Sequence, residues 1–244
     1  ETLDELKVRI EKIRSQSLSL DLTRGKPGPE QLDIAVNMFS CVNSETFLAE
    51  GSVDTRNYGV LDGIAEAKGL FSEYLGVGID EIIIAGNSSL ALMYDTFAQL
   101  MTHGSAISAE PWMGRKNKLI CPVPGYDRHF TICQRFGIEM ITVPMTENGP
   151  DVDEIEKLIT ADDTIRGMWC VPRYSNPTGY TCSPEVVRAL ADLKPGSDDF
   201  LIFWDDAYAV HHFGGGPEPL ESLLDACKSA GNPERALIFG STSK

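Results

Sequence analysis

Positive charge is scarce in this sequence: 21 Lys and Arg face 36 Asp and Glu in 244 residues, a formal net charge of −15. A chain this acidic has no diffuse attraction for nucleic acid or anionic lipid, and no local basic patch restores one. Neither is an expected partner. No run approaches the roughly 18 apolar residues that a membrane helix needs, and the acidic, amphipathic start does not read as a signal peptide. Cysteine is sparse. The six thiols (Cys41, Cys121, Cys133, Cys170, Cys182, Cys227) form no C-x-x-C and mostly sit within apolar segments. They read as reduced core thiols of a cytoplasmic protein rather than as disulfides or a metal site. Histidine is rarer still, at four residues. Adjacent His211 and His212 would point apart on a regular element, and no cluster with ligand spacing surrounds them, so they read as structural and no metal is expected.

What is present is ordinary globular composition, with 42% hydrophobic residues, 22 Gly and 14 Pro. The length suits one large α/β domain or two small ones. Leu3, Leu6, Ile10 and Ile13 recur at helical spacing and predict an amphipathic helix to about Arg14. The following stretch, Asp21 to Pro29, holds Gly and Pro that forbid regular structure. Farther on, apolar β-rich runs at 81–85, 118–123, 139–145, 167–171, 200–204 and 236–239 alternate with helical stretches at 88–101, 127–136, 152–159, 184–193 and 220–229. That alternation predicts an α/β fold, a mostly parallel sheet sandwiched by helices. The run 236–239 has no helix after it to cover it, because the sequence stops at Lys244. A truncated chain is the expectation.

In such sheets ligands bind beyond the carboxyl ends of the strands, so the segments just after each run hold the candidate chemistry. Asn87-Ser88-Ser89 can cap a helix and offer donors to an anion. Tyr126 puts an aromatic face at the mouth of the sheet. Asn176-Pro177-Thr178-Gly179 is a turn able to fix the Asn side chain, and its X-Pro bond can adopt a cis peptide. Asp205 follows directly on apolar residues and needs a cationic or proton-bearing partner, yet no Lys or Arg is near in sequence. Lys244, among the hydroxyls of Ser241, Thr242 and Ser243, could act as an amine nucleophile if desolvated.

These rim features together resemble the fold-type-I aminotransferases that use pyridoxal 5′-phosphate. The markers are Asn176-Pro177-Thr178-Gly179, then Asp205-x-Ala207-Tyr208 about thirty residues later, then Ser241-x-x-Lys244 about forty after that. The strings Asp21-Leu22-Thr23-Arg24-Gly25-Lys26-Pro27, Asp54-Thr55-Arg56-Asn57-Tyr58-Gly59 and Cys121 to Phe130 are similar to the aspartate aminotransferases that share their pattern with the catalytic half of MocR-type regulators. The resemblance implies that Lys244 is the Schiff-base lysine and proton carrier, and that Asp205 pairs with the pyridine nitrogen. Tyr208 and Asn176 would hydrogen-bond the ring oxygen, and Tyr126 would stack on the ring. Asn87, Ser88, Ser89 and Ser241 would hold the phosphate. Tyr58 would reach the phosphate of a neighbouring subunit, which implies a homodimer with shared sites. Arg24 and Gly25, with Asn176, would meet the substrate. Two departures stand out: Ser88 and Ser89 replace the usual Gly or Thr, and Tyr126 replaces the Trp of many aspartate enzymes.

By the same resemblance, residues 1–40 belong to a small domain or substrate lid, and 41–244 form the large cofactor-binding domain. The Arg that grips the substrate carboxylate and a further phosphate Arg would lie after Lys244, so a polypeptide ending there is expected to be inactive. The implied activity is ping-pong transfer of an amino group between an amino acid, aspartate or glutamate foremost, and a 2-oxo acid. Two alternatives share the cofactor: a lyase or decarboxylase acting on an amino acid, and the cofactor-binding domain of a transcription regulator.

Overall fold

The structure is a computed structural model that describes residues 2–19, 26–212, 214 and 216–242. The chain divides into two compact units, Glu1–Leu48 with Asp54–Asn57, and Ala49–Val53 with Tyr58–Lys244. In the first unit helix α1 (Leu3–Ser15) begins at a capping box, where Thr2 and Glu5 satisfy each other's backbone N–H groups. Its apolar residues Leu3, Leu6, Ile10 and Ile13 are exposed. A short helix α2 (Pro29–Asp33) follows. The chain passes between units through two-residue strands β1 (Leu48–Ala49) and β2 (Val53–Asp54).

The second unit carries the sheet. Its strands are β3 (Lys118–Val123), β4 (Glu139–Thr146), β5 (Gly149–Pro150), β6 (Ile165–Cys170), β7 (Leu201–Asp205) and β8 (Ala236–Phe239), in spatial order β5-β4-β3-β6-β7-β8. All neighbours are parallel except β4 and β5. Five of the six expected strands are therefore found, and the architecture is the predicted helix-covered parallel sheet. The helices are α3 (Ala65–Leu75), α4 (Ser89–His103), α5 (Asp127–Phe136), α6 (Val152–Ala161), α7 (Pro184–Asp192) and α8 (Leu223–Ser229). Each of α4, α6, α7 and α8 starts where a Ser or Asp side chain accepts a backbone N–H of the first turn.

The pleat sorts the core into two faces. Ile202 and Trp204 of β7, with Met168 and Cys170 of β6, pack against α6, α7 and α8. Leu201 and Phe203, with Trp169, pack against Met93, Phe97 and Leu100 of α4 and Ile132 and Cys133 of α5. Phe97 lies at the centre of that second face, its ring centroid 4.5 Å from Phe203 and 5.2 Å from Trp169. Asp205, two residues beyond Phe203, inherits the face of α4 and α5. Asp206 inherits the other.

Three expectations need correction. Residues 81–85 form no strand. A strand needs a ladder partner, and β8, the exposed margin of the sheet, stands across an apolar groove of about 520 Å³ bordered by Ile82, Ile84, Leu237 and Phe239. The backbone there is instead tied to the segment before α3, with Ile84 N–H donating to the Asp62 carbonyl at 2.9 Å. Helix α3 lies where no element was expected. Of the six thiols five are buried, but Cys41 is exposed, in a short turn rather than in the core.

Candidate active site

Asp205 ends β7 and is 3% exposed. Its Oδ2 accepts a hydrogen bond from His129 Nε2 at 2.9 Å, whereas Oδ1 is buried and has no partner among the described residues. His129 is itself buried, on α5, and its ring lies flat on Trp169 with centroids 4.3 Å apart and planes 7° from parallel. The partner that the sequence left unidentified is thus a histidine 76 residues upstream. Sequence reasoning missed this role. Its signal was present, since His129 stands at helical spacing from the apolar Ile132 and Cys133 and so shares their buried face, but the pairing needs the fold.

A cavity of about 180 Å³ opens over Asp205 and is lined also by Ser88, Ser89, Tyr126, Asn176 and Tyr208. Four segments bring these groups together. Ser88 caps α4, accepting the Ala91 N–H at 3.3 Å, and buried Ser89 is the first residue of that helix. The helix therefore presents its unpaired N–H groups and positive dipole end to the cavity. Tyr126 precedes α5 at the end of a turn that only glycine can make, because a Cβ on Gly125 would sit 2.4 Å from the Pro122 carbonyl oxygen. Burial raises the Tyr126 phenol above its usual range, and Tyr208 adds to the rise. Asn176 lies in the loop after β6, where the Asn176–Pro177 peptide is cis and Ser175 N–H donates to the Tyr180 carbonyl at 2.8 Å. Tyr208 lies in the turn after β7, its ring set edge-on to His211.

The other candidates stand apart. Asn87 and Ser241 border the groove beside β8 instead, with the Ser241 carbonyl accepting from the Tyr74 hydroxyl at 3.4 Å. Tyr58 is 97% exposed and lines none of these cavities. Lys244, Arg24 and Gly25 lie outside the described residues. His212 Nδ1 is 3.0 Å from the Tyr174 hydroxyl. Among the described residues no group of three or more His, Cys, Asp or Glu converges as a metal site would require.

Chemically the cavity has two poles. One is a helix N-terminus flanked by hydroxyls, suited to an anion such as a phosphate. The other is a buried carboxylate oxygen with an empty acceptor position, which asks for an N–H or a cation. An aromatic face, an amide and a phenol lie between them. A flat, phosphorylated nitrogen heterocycle satisfies both poles at once, and pyridoxal phosphate is such a molecule.

A family model described as aspartate amino-transferase matches residues 1–244. A putative aminotransferase of Mycolicibacterium smegmatis is 45% identical over 236 residues, which cover 95% of this chain and 55% of that protein. The crystal structure of an aspartate transaminase from Corynebacterium glutamicum superposes with a TM-score of 0.91 at 41% identity, over 98% of this chain and 57% of that one. An α-aminoadipate aminotransferase of Thermus thermophilus, solved with N-(5′-phosphopyridoxyl)-L-leucine, shares the fold with a TM-score of 0.67 at 24% identity, over 91% and 51%. The chain spans little more than half the length of these relatives.

Proposed function

The chain belongs to the aspartate amino-transferase family, and from that premise we propose that it holds pyridoxal phosphate for amino-group transfer between aspartate or glutamate and a 2-oxo acid. The observation that carries the reading is Asp205: buried, gripped on one oxygen by His129, without a partner among the described residues on the other, and lining a cavity that Ser88 and Ser89 at the start of α4 also line. The aspartate preference draws on the name of the Corynebacterium relative. The bound cofactor would supply an electron sink for the substrate carbon that loses its proton.

The residues divide the remaining work. Asp205 holds the proton on the ring nitrogen, and His129 keeps that carboxylate aimed. Ser88 and Ser89, at the start of α4, anchor the phosphate, with Asn87 and Ser241 as outer contributors. Tyr126 covers one ring face and excludes water from it. Asn176 and Tyr208 donate to the ring oxygen. Lys244 would hold the cofactor by its aldehyde and would carry the proton. Arg24 and Gly25 close over the substrate, and Tyr58 reaches the phosphate of a second subunit in a homodimer.

The test is spectroscopic. Purified full-length protein loaded with pyridoxal phosphate is expected to absorb in the visible and to bleach on addition of aspartate or glutamate. Bleaching by alanine or an aromatic amino acid alone would redirect the substrate assignment. Asp205→Ala should still bind the cofactor while the bleaching rate falls by several orders of magnitude, since a group acting in the transition state is removed. Near-normal bleaching would show that Asp205 has another job. Borohydride reduction and peptide mapping should leave the adduct on Lys244.

A further inference from the structure

Asp206, which is buried, and Arg173, which is half-buried, form a charge pair on the opposite face of the sheet from the cavity over Asp205. Arg173 Nη2 lies 3.4 Å from Asp206 Oδ2, and Arg173 Nη1 donates to the Ala209 carbonyl at 3.1 Å. Both residues border a different cavity, of about 630 Å³, with Tyr74 and Trp204. Neither lines the space that Asp205, Asn176 and Tyr208 share.

The two partners of Arg173 bracket Tyr208, at two residues before it and one after. The guanidinium therefore grips the turn that carries Tyr208 from both sides, while Arg173 itself stands three residues before Asn176. The turn is in turn fixed to the sheet, because Asp206 N–H donates to the Phe239 carbonyl of β8 at 2.9 Å. A planar fork can make both contacts at once; an ammonium on a flexible stem reaches one. A buried ion pair is weak as a stabilising device, since desolvation offsets most of its attraction. Fixing geometry is the role that its position explains.

We propose that Arg173 is a positioning residue: by clamping the turn at Asp206 and Ala209 it sets where the Tyr208 hydroxyl stands relative to the Asn176 amide. This rests on the reading in which those two groups donate to one cofactor oxygen. Removing the Tyr208 donor leaves that oxygen to hold its neighbouring proton more tightly, so the pH midpoint of the visible band should rise in Tyr208→Phe. Arg173 never touches the cofactor, and its effect must pass through Tyr208.

The experiment titrates the visible band of the loaded protein in wild type, Tyr208→Phe, Arg173→Met and the double variant, and measures cofactor affinity of the apo forms by tryptophan quenching. Arg173→Met is expected to move the midpoint upward by on the order of half a pH unit or more, as loss of a hydrogen bond to one protonation state does. In the Tyr208→Phe background the same change should add almost nothing. Affinity should weaken by roughly tenfold, the scale of one lost hydrogen bond. A midpoint unmoved by Arg173→Met while Tyr208→Phe shifts it, or shifts that simply add, would overturn the proposal. A midpoint unmoved by Tyr208→Phe would instead sink the role given to Tyr208. If Arg173→Met does not fold, Arg173→Lys decides: it retains charge but loses one of two contacts, so a midpoint between wild type and Tyr208→Phe supports the clamp and a wild-type midpoint refutes it.

Discussion

Asp205 meets a ring nitrogen of His129 at 2.9 Å, while Asp206, the next residue, turns to Arg173 at 3.4 Å. Burial dominates the chemistry of the second carboxylate. Its carboxyl is pushed up to about 6, with desolvation as the largest cause, Arg173 pulling it back and Asp205 adding to the rise. A carboxyl whose folded pKa exceeds its unfolded value of roughly 3.9 binds its proton more tightly in the native state. The stability it contributes is present below about pH 4 and is lost as pH climbs through about 6. The full swing is at most about 3 kcal/mol. Asp206→Asn removes the titration, so the stability gap between variant and wild type should shift in favour of the variant from pH 4.5 to 7, read from urea midpoints. A gap independent of pH would show that Asp206 ionises normally. The residues legible from sequence alone were those carrying a local pattern: the Asp205-x-Ala207-Tyr208 group and the turn around Asn176. His129 and Arg173 were not, because their partners lie 76 and 33 residues away and only folding brings them together.

Elements were readable where two local signals coincided. Strands β6 and β7 are buried at every position, and their continuous apolar runs stand out in the sequence. Helices α4, α6 and α7 announce themselves by Ser88, Asp151 and Ser183 at their starts. The segment 81–85 has the right composition for a strand, but composition cannot supply a ladder partner. Helix α3 carries Leu70, Phe71, Tyr74 and Leu75 at helical spacing, yet it buries none of its residues fully and precedes the rhythm of strand and helix that guides the eye. On the proposed reading, capping at α4 has a second duty that capping at α6 lacks. Ser88→Ala and Asp151→Ala should each lower stability by about 1 kcal/mol in denaturant melts. Only Ser88→Ala should also weaken cofactor binding; equal affinities in the two variants would remove Ser88 from the phosphate site.

At the scale of the molecule, the two ends of the strands do different work. Opposite the cavity, at the entrance to β7, Asp199 is 1% exposed and accepts from Trp112 Nε1 at 3.1 Å, Arg115 Nη1 at 3.3 Å and Ser197 Oγ at 2.7 Å, and pairs with Arg166. These contacts hold the Asp199 carboxyl below its usual range against the opposing pull of burial. Asp199→Ala strands Arg166 in the interior and is expected to cost about 3–5 kcal/mol, with the visible spectrum of whatever remains folded unchanged. A melting curve close to wild type would mean that solvent reaches Arg166. Among the described residues β8 pairs only with β7, so the far margin of the sheet leaves a row of peptide donors and acceptors facing an oily trench. Such a row is a template that reads no side chains, only backbone.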